Sequence, residues 1–396
     1  MRVMSSTASI SPDENTSKNT ACVKEDGHGL SDVALCPYYE NLEIIKEMVK
    51  ANYGFTVTRL KRLNGYDDLN FHVLVAPEHS NPHLDHVSPN GYFMKIANFR
   101  DSQRPEFLDA QIAVMEHLLK KGILCQTSIK GVDGAKITVS TTANKEGNNV
   151  SYLVSLRSYL PGTILADVVM TPALLFKVGQ YVAKITQALE DFEHPFYETF
   201  ECPWSMDNIP SLKKILYAVK DDVMRGIAEE VIQAYNSEVE PLKQDFRIGQ
   251  IHGDVNEQNI LVTVEPTSDS IPDICGLLDF QDGARSFPIY DLTMSVAYMN
   301  MTKRSDVPIL DVPGHILAGY MTLLELNRAE KAAFRNLVAG RMVQSLVMGA
   351  YTYSLDPTND YLLTTAECGW RALKTFWEAS EVQLQQRWDE IVNTYS

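Results

Sequence analysis

The sequence has little of what ties a chain to a metal cluster, a membrane or nucleic acid. Its six cysteines (Cys22, Cys36, Cys125, Cys202, Cys275 and Cys368) are scattered, and no two form a CxxC pair. That spacing is neither a zinc pattern nor a disulfide framework, and reads as reduced thiols in a cytoplasmic protein. No uninterrupted apolar run approaches the roughly 18 residues of a membrane span. The opening MRVMSSTASISPDENTSKNT has no apolar signal core, and its acids Asp13 and Glu14 are unlike a mitochondrial transit peptide. Positive charge is scarce as well: 35 basic against 51 acidic residues give a net charge of −16. Duplex nucleic acid and anionic membranes want a basic stripe, so neither is expected as a partner. A cationic small substrate is compatible with this balance.

What is present is ordinary globular material, 45% hydrophobic and 22% charged, which excludes collagen-like and wholly disordered chains. The 396 residues suffice for two or three lobes with a sizeable core. Residues 1–35 are polar and without periodicity, and read as a disordered tail. Helical spacing runs from Tyr38 to a stop at Tyr53-Gly54. Two alternating runs, from Phe55 and from Phe71, flank the turn Asn64-Gly65-Tyr66-Asp67-Asp68 and predict a hairpin. Tyr92–Ile96 predicts a further strand, Pro105–Lys121 a helix, and Lys136–Val139 and Tyr152–Leu156 two more strands. After the turn Leu160-Pro161-Gly162 helices dominate: Thr171–Phe192, Pro210–Met224, Ile227–Asn236 and several beyond Pro313. Two short β-like runs, Ile260–Val262 and Ile274–Leu278, lie among them. The pattern predicts an α+β chain, with a strand-rich lobe at 36–157 and a mainly helical lobe at 158–396.

Chemistry concentrates in two segments, Ile251-His252-Gly253-Asp254-Val255-Asn256-Glu257-Gln258-Asn259 and Gly276-Leu277-Leu278-Asp279-Phe280-Gln281-Asp282. Each sets an acid or amide beside a short apolar strand. That suits phosphoryl transfer, which needs a carboxylate for the acceptor hydroxyl, hard oxygens for Mg2+ and a cation on the nucleotide phosphates. Asp254 fits the catalytic base, and Asn259 and Asp279 fit the metal ligands. Lys95, flanked by Phe93, Met94 and Ile96, fits the phosphate cation. An acid on the following helix should hold it: Asp109 is preferred, with Glu106 as the alternative.

These two segments, followed by Asp291-Leu292, resemble the aminoglycoside phosphotransferase and choline kinase-like superfamily. The resemblance covers nearly the whole chain after the tail and implies a two-lobed, protein-kinase-like fold. Gly65–Val73, Tyr159-Leu160-Pro161-Gly162 and Gln344–Leu355 carry a closer likeness to the hydroxylysine kinase subfamily. The resemblance implies that Asp254 is the base, that Asn259 and Asp279 hold the metal, and that Lys95 contacts the phosphates. It makes His252 and Asp291 structural supports of the catalytic loop. Arg157, Ser158, Tyr159 and Leu160 become the hinge on which the nucleotide base lies. The activity implied is transfer of a γ-phosphoryl group from GTP to the hydroxyl of 5-hydroxylysine.

The chain also departs from the wider pattern. No GxGxxG covers the phosphates, the Gly65–Asn70 turn standing in its place, and Gln281 replaces a glycine of the protein-kinase pattern. Asp282 reads as a second metal ligand, a substrate contact or a solvated acid. Tyr351, in a stripe with Tyr353, is a candidate for the substrate pocket, and Asp356, Asp360 and Glu367 are candidates to meet a substrate amine. Rival readings are a kinase for another alcohol (choline, homoserine or an aminoglycoside) and a nucleotide-binding pseudokinase.

Overall fold

The computed structural model describes residues 41–63, 65, 68–143, 147–263, 271–355 and 366–395. Asn41 opens the first helix, α1 (Leu42–Tyr53), its side chain accepting the N–H of Glu43 at 2.9 Å, and Gly54 closes it in the left-handed conformation. The chain then turns to β1 (Phe55–Leu63) and β2 (Leu69–His79), antiparallel with Leu63 opposite Asn70. β3 (Tyr92–Ile96) leads to α2 (Pro105–Lys120), and β4 (Thr138–Ala143) and β5 (Asn149–Ser158) complete an antiparallel sheet in the order β1-β2-β3-β5-β4.

The two-residue period of the strands divides this lobe. Phe71 and Val73 of β2, Met94 and Ile96 of β3, and Val154 and Leu156 of β5 pack with Ile45, Val49 and Tyr53 of α1 into one core. Lys95, Ser155 and Arg157 alternate with them and project from the opposite face. Leu153 on that face packs with Phe107 and Leu108 of α2.

The second lobe holds β6 (Thr163–Ile164), α3 (Pro172–Leu189), α4 (Asp222–Ala234), β7 (Gly249–Ile251), β8 (Ile260–Thr263), β9 (Asp273–Leu277), β10 (Ala284–Ser286), α5 (Ile289–Met301), α6 (Val312–Met321), α7 (Arg328–Leu355), α8 (Ala366–Glu378) and α9 (Glu381–Asn393). β7 pairs with β10, and β8 lies between β6 and β9. Because β7 is joined to β8 by one loop and β9 to β10 by another, these pairings bring residues 252–259 and 278–283 together. The result is a two-lobed α+β fold. Among the described residues no helix is long and apolar enough to cross a membrane.

One expected helix is absent. Over this stretch the chain forms short 3₁₀ turns at Met206–Lys214 and Leu216–Ala218, with Pro210 inside the first, and enters α4 only at Asp222. The α-helix starts later because Asp221 accepts the N–H groups of Val223 and Met224 at 2.9 and 3.0 Å, an N-cap stronger than the preceding periodicity. Helix α5 was not anticipated at all.

Helices α3 and α6 are held close by a reciprocal pair of glycines. A Cβ at Gly179 would stand 1.9 Å from the carbonyl oxygen of Ile316, and one at Gly319 1.9 Å from that of Phe176. Backbone on both sides cannot yield locally, so Gly179→Ala is expected to destabilise the fold by about 1–3 kcal/mol. Gly226→Ala, with open space around it in α4, should be neutral or stabilising. Thermal unfolding of the two variants checks this, and equal melting temperatures would refute it.

Candidate active site

Lys95 lies on the α2-facing side of β3, only 6% exposed. Its Nζ meets Asp68 Oδ2 at 2.6 Å and Gln281 Oε1 at 3.0 Å, with Asp279 Oδ1 at 4.0 Å. Burial works against the ammonium, but the Asp68 and Asp279 carboxylates outweigh it and raise its pKa above the ordinary value. Asp68 is itself fixed by Asn98, which donates its backbone N–H at 2.7 Å and its Nδ2 at 3.1 Å to Oδ1. Asn98 and Gln281 both donate to Asp101 Oδ2, at 2.8 and 3.0 Å. Gln281 thus joins the second motif to the small lobe.

This corrects the expected partner of Lys95. Asp109 and Glu106 are both exposed on α2. The inward position of that helix belongs to Gln111, whose Oε1 accepts from Arg157 Nη2 at 3.3 Å. Asp68 takes the lysine because β2 and β3 are neighbours, with Asn70 directly opposite Lys95. Arg157 is 2% exposed, its side chain turned toward α2. Ser158, Tyr159 and Leu160 follow where β5 leaves the sheet. Ser158 Oγ accepts the N–H of Thr127 at 2.8 Å, and Tyr159 stacks on His72 with ring centroids 3.9 Å apart.

Across from Lys95, the first motif forms a loop pinned from below. Asp291, 1% exposed on α5, accepts the N–H of His252 at 2.9 Å and of Gly253 at 2.8 Å. Burial pushes the Asp291 carboxyl up to about 6 against the pull of those two bonds. Gly253 has φ of 84°, and a Cβ there would lie 2.0 Å from the carbonyl oxygen of Asp282. The two motif loops are therefore in backbone contact.

His252 is fully buried, its Nδ1 accepting the N–H of Asp254 at 3.2 Å and its Nε2 reaching the carbonyl of Leu278 at 3.1 Å. Burial pushes its pKa down to about 4, from the ordinary 6.5. The ring is neutral in the fold, so its contribution to stability is intact above pH 6.5. It is lost as pH falls toward 4, where the unfolded chain takes up a proton and the folded one does not. The wild type should thus lose on the order of 3 kcal/mol relative to His252→Gln across that window. Melting temperatures measured at pH 7.5 and 4.5 check the sign.

Asp254 occupies the mouth of this loop. Its Oδ1 accepts from Asn256 Nδ2 at 2.8 Å and its Oδ2 from Asn259 Nδ2 at 2.7 Å, while Arg341 Nη2 stands 3.7 Å from Oδ1. Burial raises its carboxyl to about 6, Arg341 opposing and Asp279 adding to the rise. Asn259 also donates to the carbonyl oxygen of Asp254 at 2.9 Å. Its amide nitrogen is thus committed to Asp254, leaving its Oδ1 for a cation. Asp279 is the positive-φ non-glycine among the described residues, at 57°. That conformation is tolerated by aspartate and presents a carboxylate 48% exposed. Two hard oxygens of this kind suit a divalent cation of the hard, oxygen-binding class.

Of the other candidates, Asp282 stays beside the Asp254 loop, and the rest fall elsewhere or outside the described residues. Asp282 is half-buried, with Cys202 Sγ 3.5 Å from its Oδ1, and burial together with Asp254 and Asp279 raises its carboxyl well above the usual range. Tyr351 stands about 15 Å along α7 from Arg341, its ring edge-on to Tyr217. Asp356 and Asp360 lie outside the described residues, as does the side chain of Glu367. Sequence reasoning missed Asp68, Gln281, Asn256 and Arg341 as parts of this site. Asp68 was inside a motif already singled out, and Arg341 lies one helical turn before another.

Comparison with known proteins agrees with the geometry. Residues 63–320 match the phosphotransferase enzyme family. A hydroxylysine kinase of Xenopus laevis is 35% identical over 361 residues, covering 88% of this chain and 93% of that one. The corresponding protein of Bos taurus is 32% identical over 358 residues, covering 88% and 92%. Among solved structures, an amicoumacin kinase in complex with AMP-PNP, Ca2+ and Ami superposes with a TM-score of 0.56. It is 14% identical and covers 90% of this chain and 94% of its own, a likeness of fold.

Proposed function

Because the chain belongs to the phosphotransferase enzyme family and is a small-molecule kinase acting on an alcohol, we propose that it phosphorylates the side-chain hydroxyl of 5-hydroxy-L-lysine. GTP is the proposed donor, Mg2+ the metal, and the cleft between residues 36–157 and 158–396 the site. The observation that carries the reading is the 32–35% identity to hydroxylysine kinases over nearly their whole length. The side chains around Asp254 support the chemistry.

In the proposed reaction Asp254 orients the substrate hydroxyl and accepts its proton. The hydroxyl oxygen forms a bond to the γ-phosphorus, and the bond from that phosphorus to the β–γ bridging oxygen breaks. The nucleoside diphosphate leaves with the electron pair. Lys95, held by Asp68 and Gln281, meets phosphate oxygens without having to reorganise. Asn259 Oδ1 and the Asp279 carboxylate would hold Mg2+, which when bound neutralises charge on the phosphates. Asp291 and His252 keep the loop in register. The acidic cleft and the low positive charge of the chain favour a cationic amino acid as acceptor.

Nucleoside diphosphate release, followed in a coupled assay with GTP and ATP in parallel, tests this. Release with 5-hydroxy-L-lysine and none with lysine is expected, and chelation of divalent metal should abolish it. Turnover of choline or homoserine with silence on hydroxylysine would replace the acceptor and keep the chemistry. Magnesium-dependent nucleotide binding without turnover on any alcohol would instead point to a pseudokinase.

A further inference from the structure

Arg341 is a guanidinium 1% exposed, in the middle of the 28-residue helix α7. Burying such a charge is costly unless something answers it. Its nearest contacts are neutral: Nη1 donates to the carbonyl of Trp204 at 3.1 Å and to Gln344 Oε1 at 2.8 Å, and Nη2 to Tyr298 Oη at 3.4 Å. The Trp204 and Tyr298 rings lie against it, with centroids 5.5 and 5.4 Å from Cζ. Gln344 is anchored in turn on the carbonyls of Trp204 and Ser205, at 3.3 and 2.9 Å. This cage fixes the position of the cation. Among the described residues, the carboxylate it reaches within ion-pair distance is that of Asp254.

The separation of 3.7 Å is too long for a hydrogen bond. Both Asp254 oxygens already accept amide hydrogens from Asn256 and Asn259. What Arg341 supplies is therefore charge from a fixed point. Asp254 needs it, since Asp279 and Asp282 both repel it while burial removes its solvent. We infer that Arg341 is a positioning residue for phosphoryl transfer, a caged counter-charge that holds the Asp254 carboxylate at the acceptor site. The Trp204–Ser205 segment and Gln344 serve that cage. The inference rests on Asp254 being the base.

A double-mutant cycle on turnover tests it, using Asp254→Ala, Arg341→Met, Arg341→Lys and the doubles. Arg341→Met is expected to lower kcat by about 10- to 100-fold with the nucleotide KM within about twofold, and Arg341→Lys to recover part of the loss. In the Asp254→Ala background either change at 341 should add less than about twofold, because its target is gone. Full additivity, or equal losses in the Met and Lys variants, would overturn the inference while leaving Asp254 as base. Wild-type turnover of Asp254→Ala would overturn the base assignment itself, and this inference with it. Should Arg341→Met fail to fold, the cycle run with Arg341→Lys alone decides.

Discussion

Replacing Asp254 with alanine is expected to lower kcat about 10²–10⁴-fold while nucleotide affinity stays near that of the wild type. The separation of the two effects follows from where contacts lie. Lys95 is held by Asp68 of the small lobe and Gln281 of the second motif, whereas the Asp254 carboxylate bonds to neither. Asp254 is attached to its own loop, through Asn256 and Asn259. Its loss frees the Asn259 amide to turn, so a modest rise in the metal requirement accompanies the fall in turnover. Asp254→Asn keeps the shape and removes the charge, and it should lose nearly as much. Steady-state kinetics over GTP and metal concentrations, with nucleotide binding measured separately, check both parts. Equal turnover in wild type and Asp254→Ala would remove Asp254 from the mechanism.

How much of this was readable beforehand depended on the distance over which each feature is determined. The sheet was legible because its strands alternate, and Lys95 stood out because Phe93, Met94 and Ile96 around it are apolar. The two motif loops were legible because each packs its chemistry into a short run, nine residues at 251–259 and seven at 276–282. Helix α5 was not, since twelve of its residues from Ile289 to Met301 are buried. A helix covered on all sides carries no apolar stripe to read. The stretch from Pro210 to Met224 failed for a local reason, the Asp221 cap, which starts a new helix where periodicity alone continues the old one. Arg341 was invisible for another reason. Nothing in its own neighbourhood of α7 reveals that the helix crosses behind Asp254. The same holds for Gln281, which looked like a departure from a glycine and turns out to bridge Lys95 and Asp101.

The partner of Lys95 is the correction with the largest consequence, and it gives the second strong prediction. Asp68→Ala removes a carboxylate 2.6 Å from the lysine, with the two side chains 5% and 7% exposed. Breaking a buried pair by deleting one member typically costs about 3–5 kcal/mol, because the remaining charge stays desolvated and uncompensated. Here the Asn98 backbone N–H loses its acceptor as well, and the Asn98 amide keeps Asp101 but loses Asp68, which adds to the penalty. Against a usual stability of about 5–15 kcal/mol that is a large fraction. The melting temperature should fall clearly, and the KM for nucleotide should rise as Lys95 loses its anchor. Asp109→Ala supplies the contrast: an exposed change on α2 is expected to stay within about 0.5 kcal/mol of wild type with unaltered kinetics. Asp68→Asn separates charge from shape, since an amide still accepts from Asn98 but cannot neutralise the ammonium. It should restore part of the stability and little of the nucleotide KM. A nucleotide KM that responds to Asp109→Ala and not to Asp68→Ala would return the lysine to the helix acid.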